Sequence, residues 1–352
     1  MQRQLLALVI LGASLSLVGL AHAVAAPWKP IPLPRIEHGK VEMRVVYAEN
    51  PRIEGLERDQ IERLLAHSRR IARQHFNLDI VFKDYVTIPL DDLFDYLPDA
   101  ARQKSLQQIY DFKSGAGNPA RVRQALIESL RQESSLRDAL EFARPYLVRP
   151  PHAETYGGLA GALLDTLLQR IEHWSQLQAK DGGSIIDQSA YNEYALWTLL
   201  GYGALPYDVI ISNQPMISIE YTDLPLHTSL RGGITVGNTN FNKGSPLGTL
   251  ALISTFAFTH DDDQLTLLRG GRVYSRQQAM DLAGAYLVHE IGHQLLHLGH
   301  PLSQRGCVMT PAQLLRFEQW YAALDPANCR LGSSPQMQVG AVSPLLKFNP
   351  AW

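Results

Sequence analysis

The segment HEIGHQLLHLGHPLSQRGCVMTP, residues 289–311, constrains the fold of this chain more than any other stretch. Upstream of it, Ser275 and Gln278 have the spacing of a capping box that opens a helix. Met280, Leu282, Ala283, Tyr286, Leu287 and Ile291 continue an apolar helical run. Gly284 and Gly292 lower its propensity without ending it, and Gly299 is placed to end it in the left-handed conformation. His289 and His293 then lie one turn apart on one face, with Glu290 beside the first. The fold has to bury a largely apolar helix while holding these polar side chains on one of its faces.

Two imidazoles at that spacing can converge on one metal ion, with neutral nitrogen as the ligand and Glu290 as a neighbouring proton acceptor. Zinc in such a place lowers the pKa of a water and polarises a carbonyl, and the carboxylate moves the proton to the leaving amine. The third ligand is a choice among His300, His297 and Glu318. His297 continues the row in steps of four, but a straight helix carries it ~12 Å from His289, too far for both to bind one ion. His300 follows Gly299, where the chain can turn back, so geometry favours it and leaves His297 a packing or orienting role. Glu318, in LLRFEQWYA, lies on a predicted helix and is the alternative of a different zinc class, the gluzincins.

The same segment resembles the active-site region of the metzincin metallopeptidases, H-E-x-x-H-x-x-G-x-x-H followed by a methionine in a tight turn. His289, Glu290 and His293 match its first half, while Leu296 stands at the glycine position and Gly299 at that of the third histidine. A one-residue insertion restores the match, with His300 as ligand and Met309, followed by Pro311, at the Met-turn. The resemblance implies an α+β, zincin-like catalytic domain with a mixed sheet above an active-site helix. It further implies a Zn2+-dependent endopeptidase with Glu290 as general base, Met309 supporting the site from below, and a protein or peptide substrate aligned on an edge strand expected within residues 216–237. The Cys-x-Met arrangement is also similar to archaemetzincins, but Pro301 interrupts their cysteine cluster and a second zinc is not expected. No tyrosine follows Met309 where some metzincins place one.

Elsewhere, strands are expected at 41–47 and 78–83 around a helix at 56–75, a strand–helix–strand unit that predicts a parallel pair. Helices are expected at 100–112, 119–143 and 155–179, so that the domain, 24–352, carries a helical insertion at about 89–180. A further helix is expected at 191–203, and strands at 207–213, 216–221 and 233–237, while 249–258 is apolar and ambiguous. Asp261, Asp262 and Asp263 lack the alternating oxygen ligands of a calcium loop and are expected in a solvated turn.

Arg3, the apolar run 5–20 and Ala-His-Ala at 21–23 have the form of a signal peptide, residues 1–23, directing the chain to the periplasm or outside the cell. An uncleaved N-terminal anchor is the alternative; no other stretch is long and apolar enough for a span. In such a compartment Cys307 and Cys329 are expected to form a disulfide, against the alternative of two buried thiols. Lys and Arg number 32 against 34 acidic residues, without a basic tract, so nucleic acid is not an expected partner. The competing functional class is a non-catalytic secreted peptide- or protein-binding module with a structural zinc closed by a fourth protein ligand. Cleavage specificity and oligomeric state have no signature in the sequence.

Overall fold

Residues 40–49 form one extended segment that changes sheet at Arg44, giving β1 (Lys40–Met43) and β2 (Val45–Glu49). A computed structural model of the chain describes residues 28–83, 85–97, 119–133, 135–183, 185, 197–217 and 225–350. Helix α1 (Arg58–Phe76) follows, burying Ile61, Leu64, Leu65, Ile71 and Ala72, the apolar stripe visible in its sequence. Asn77, at φ 54°, ends it in the left-handed conformation and lets the chain return as β3 (Asp79–Phe82) and β4 (Val86–Pro89). β1 pairs with β3 and β2 with β4, both parallel, as a strand–helix–strand unit requires.

The expected helix at 100–112 lies outside the described residues, as does the signal segment 1–23. Within the stretch that follows are α2 (Pro119–Glu133), α3 (Leu136–Ala143) and α4 (Tyr156–Gln176). Ser135 caps α3 by accepting from the Asp138 amide, and Pro145 lies in a 3₁₀ turn, Arg144–Tyr146, that ends it. α2 and α4 pack on each other and, with α3, on the short helix Pro225–Leu230. The buried Trp174 of α4 donates from its indole to the Arg231 carbonyl. Of the helix expected at 191–203, the described part is a single turn, Thr198–Leu200, continued as 3₁₀ helix to Gly203.

β5 (Val209–Ser212) is buried throughout and occupies the middle of the main sheet, as its continuous apolar run predicts. The ambiguous stretch resolves into β7 (Thr249–Ser254) and a short helix, Phe256–Thr259. Between β5 and β7 in the chain, β6 (Gly237–Phe241) runs antiparallel to β7, so the five strands are ordered β4-β2-β5-β7-β6. The sheet is parallel up to β7 and mixed at this edge, and the fold is α+β. The edge strand is thus Gly237–Phe241, starting at the last residue of the 216–237 stretch where it was expected and running beyond it. Ile234–Thr235 pairs instead with Met216–Ile217 in a separate ribbon that turns at Gly232 and Gly233, both at positive φ. Asp262 does not sit in a solvated turn; its carboxylate caps the helix Asp263–Leu268 by accepting from Gln264 and Leu265.

Helix α5 (Arg276–Leu296) is buried along nearly its whole length, between α1 and strands β6 and β7. Ser275 accepts from the Gln278 amide at its start, as the capping pattern predicts. The two helical glycines are explained by what touches them. A Cβ at Gly284 would lie 2.6 Å from the Leu64 carbonyl oxygen of α1, and Ser68 donates to the Gly284 carbonyl across the same contact. Gly284→Ala is therefore expected to destabilise the protein by about 1–3 kcal/mol, although alanine is the better helix former. A denaturation midpoint equal to or above wild type would show that the helices can separate without cost. No helix among the described residues is long and apolar enough to cross a membrane.

Candidate metal centre

At the C-terminal end of α5 three side chains meet. His289 Nε2 lies 3.2 Å from both His293 Nε2 and His300 Nε2, and the latter two are 3.0 Å apart. His289 is buried and the other two are half-buried. Backbone carbonyls fix two of the three tautomers. His289 Nδ1 is 2.9 Å from the Val308 carbonyl and His293 Nδ1 is 2.6 Å from that of Leu298. A carbonyl only accepts, so both Nδ1 atoms carry the proton and both Nε2 atoms present bare lone pairs. Two lone pairs 3.2 Å apart, with a third nitrogen against both, call for a cation between them. Three nitrogens bound tetrahedrally at 2.0–2.1 Å stand ~3.3–3.4 Å from each other, close to the spacing found. His289, His293 and His300 thus form a group that can bind a metal ion. Burial keeps two of them neutral, as ligation needs: it lowers the His289 pKa well below the usual imidazole value, helped by His293 and His300, and lowers that of His300 to about 4.

The chain delivers His300 by a turn two residues earlier than its glycine suggests. α5 ends at Leu296, and His297, not Gly299, takes the left-handed conformation at φ 50°. Its amide bonds to the His293 carbonyl, the ending of an αL cap, and that of Leu298 to Gly292. A non-glycine residue is costly there, and His297 gains an offset from a 2.8 Å hydrogen bond between its Nδ1 and Ser343 Oγ. His297 is fully buried and points away from the cluster. Glu318 is also elsewhere, on α6 (Phe317–Ala322), paired with Arg272 at 3.2 Å. Among the described residues the cluster has three members and no fourth.

Met309 is buried directly under the histidine-bearing helix: a Cβ on Gly292 would overlap its Sδ. Gly292 is thus small because Met309 fills the space between the turns that carry His289 and His293. Cys307 and Cys329 form a disulfide on the same turn. Tyr286, one turn before His289, stacks on its ring at 5.1 Å with planes 17° apart.

Glu290 points to the sheet. Its carboxylate Oε2 accepts from Thr239 Oγ1 of β6 at 3.0 Å, and its Oε1 occupies the space where a side chain on Gly237 would be. Burial raises its pKa to about 8, against the lowering effect of the Thr239 hydrogen bond. Thr239 and Gly237 have no sequence signal connecting them to Glu290; Tyr286 could have been found, since it lies three residues before His289 on one helix face. The backbone of β6 alternates in its pairing. Val236 accepts from Ser254 and Asn242 donates to Gly248, so the N–H and C=O of the intervening odd-numbered residues Gly237 and Thr239 point away from β7.

Two other buried histidines, on α1, set an acid limit to stability. Burial lowers His67 and His75 to about 4, with Arg70 adding to the effect at His67. Their folded values lie below the ordinary 6.5, so the unfolded chain binds more protons between pH 6.5 and 4. Their contribution is complete above pH 6.5 and is lost as pH falls toward 4. Urea midpoints of the metal-free protein are expected to fall over that window, less steeply in His75→Gln; identical slopes would remove His75 from the account.

Comparison with protein-family models, with curated proteins and with solved structures returned no match for this chain.

Proposed function

We propose that this chain is a zinc-dependent endopeptidase of metzincin-like architecture, exported to the periplasm or beyond, acting on protein or peptide substrates. One observation carries the reading: three imidazole nitrogens converge beside a buried carboxylate, Glu290, that reaches from the metal-binding helix to an antiparallel edge strand. His289, His293 and His300 would hold the zinc, which when bound supplies Lewis acidity to polarise a peptide carbonyl. With zinc bound, its positive charge would favour the ionised carboxylate against burial, and Glu290, held in place by Thr239, would accept a proton from the attacking water and pass it to the leaving amine. The outward-facing backbone of Gly237 and Thr239 would pair with an extended substrate as an added strand, next to the carboxylate. The three-member cluster supports an open coordination position over a closed structural site. The disulfide and the lack of a spanning helix among the described residues are compatible with export.

The test is metal content and hydrolysis of an unfolded protein substrate by the chain beginning near Val24. About one zinc per chain is expected, with cleavage stopped by a chelator and restored by zinc. A chain that takes up no zinc even on reconstitution would overturn the proposal.

A further inference from the structure

The turn 307–310 touches the metal cluster from two sides. Val308 offers its carbonyl to His289 Nδ1, which sets the direction of that ligand's Nε2. Thr310 Oγ1 lies 3.1 Å from the carbonyl of Pro301, the residue after His300, and 2.9 Å from that of Gln304. Between these two, Met309 packs under Gly292. The turn therefore reaches the first ligand directly and the third through its neighbour.

What holds the turn is the disulfide. Cys307 begins it and is joined to Cys329, whose Sγ also accepts from the Val308 amide at 2.9 Å. Both sulfurs are fully buried, with Met337 Sδ 3.7 Å from Cys307 Sγ. The amide of Val308 is thus fixed by one cystine sulfur while its carbonyl fixes the ligand. Opening the S–S bond removes the covalent tie next to Val308 and lets the sulfur that holds its amide move away.

We infer that the Cys307–Cys329 disulfide is a positioning pair for the metal centre, so that metal affinity depends on the oxidation state of the chain. This rests on the proposal that His289, His293 and His300 bind zinc. In the reductive step a dithiol reagent supplies two electrons and two protons: the S–S bond breaks to two thiols, and the reagent closes to its own disulfide. The site would be complete only after oxidative folding, so metal loading would follow disulfide formation.

The test compares zinc dissociation constants by chelator competition for the oxidised wild type, the dithiol-reduced wild type and Cys307→Ala/Cys329→Ala. The double variant also removes thiols that could themselves ligate zinc. Each is measured well below its melting temperature, after circular dichroism has established that it is folded. The double variant is expected to bind zinc about 10- to 100-fold more weakly, the range for loss of partners that orient a ligand. A merely structural bridge would lower the melting temperature and leave the affinity of the folded chain unchanged. Thr310→Val, with the disulfide intact, is expected to weaken binding a few-fold through the other contact of the turn and Thr310→Ser to restore it; the dithiol-reduced wild type decides the matter if the double variant does not fold. Unchanged affinity in the folded double variant, or in the reduced wild type where the double variant is unfolded, overturns the inference and leaves the zinc proposal standing. A wild type that binds no zinc overturns both.

Discussion

Glu290→Gln is expected to lower the rate of peptide hydrolysis by about 10²–10⁴-fold while leaving zinc content at the wild-type level. Glutamine has the same shape, and its amide oxygen can still accept from Thr239 Oγ1, so the contact with β6 survives. Gly237 leaves room for either head group. What is lost is the capacity to take a proton, an effect confined to the transition state, so kcat should fall with little change in KM. Activity within threefold of wild type would remove Glu290 from the chemistry. The same variant has a second signature in the metal-free chain. Burial raises the Glu290 carboxyl to about 8, above its ordinary 4.5, so the folded state holds a proton that the unfolded state releases. Stability then declines as pH rises from 4.5 through 8, and Glu290→Gln should be more stable than wild type above pH 8 when zinc is removed. Equal stability there would mean that water reaches the carboxylate in the native state.

His300→Ala is expected to lose zinc, and His297→Ala to keep it. Removing His300 leaves two helical imidazoles one turn apart and opens one side of a three-nitrogen cluster. Its cost should exceed the roughly 10–100-fold attached to loss of an orienting partner. His297→Ala removes a hydrogen bond to Ser343 at a left-handed position, a loss of about 0.5–1.5 kcal/mol in stability, without touching a ligand. One zinc per chain should therefore persist, with a lower melting temperature. Zinc retained by His300→Ala and lost by His297→Ala would return the third ligand to the helical row.

Much of the helix and two of its imidazoles can be read directly from the residues, because the i, i+4 spacing of His289 and His293 acts over a single turn. The parallel β1–α1–β3 unit is legible for a related reason: an apolar stripe and two short apolar runs suffice, and handedness does the rest, whereas β4 carries no such run. His300 was reachable by the limit on how far a straight helix can carry His297, yet the hinge that Gly299 suggested is His297 itself. Local propensity favours glycine there, and the hydrogen bond to Ser343, 46 residues away, offsets the cost of a histidine. β6 was missed because Gly-Asn-Thr-Asn-Phe has little strand propensity, and pairing with β7 makes it a strand.

The sequence by itself determined the candidate ligand types, their helical phase, and a carboxylate placed next to them, since these follow from bonded geometry within a few residues. Only the tertiary structure decided what surrounds them. The Val308 and Leu298 carbonyls choose the tautomers, Thr239 holds the carboxylate, and Met309 fills the hollow over Gly292. Backbone carbonyls carry no residue-specific mark in the sequence, and a contact across 51 positions, such as Thr239 with Glu290, forms only when the sheet and α5 pack together.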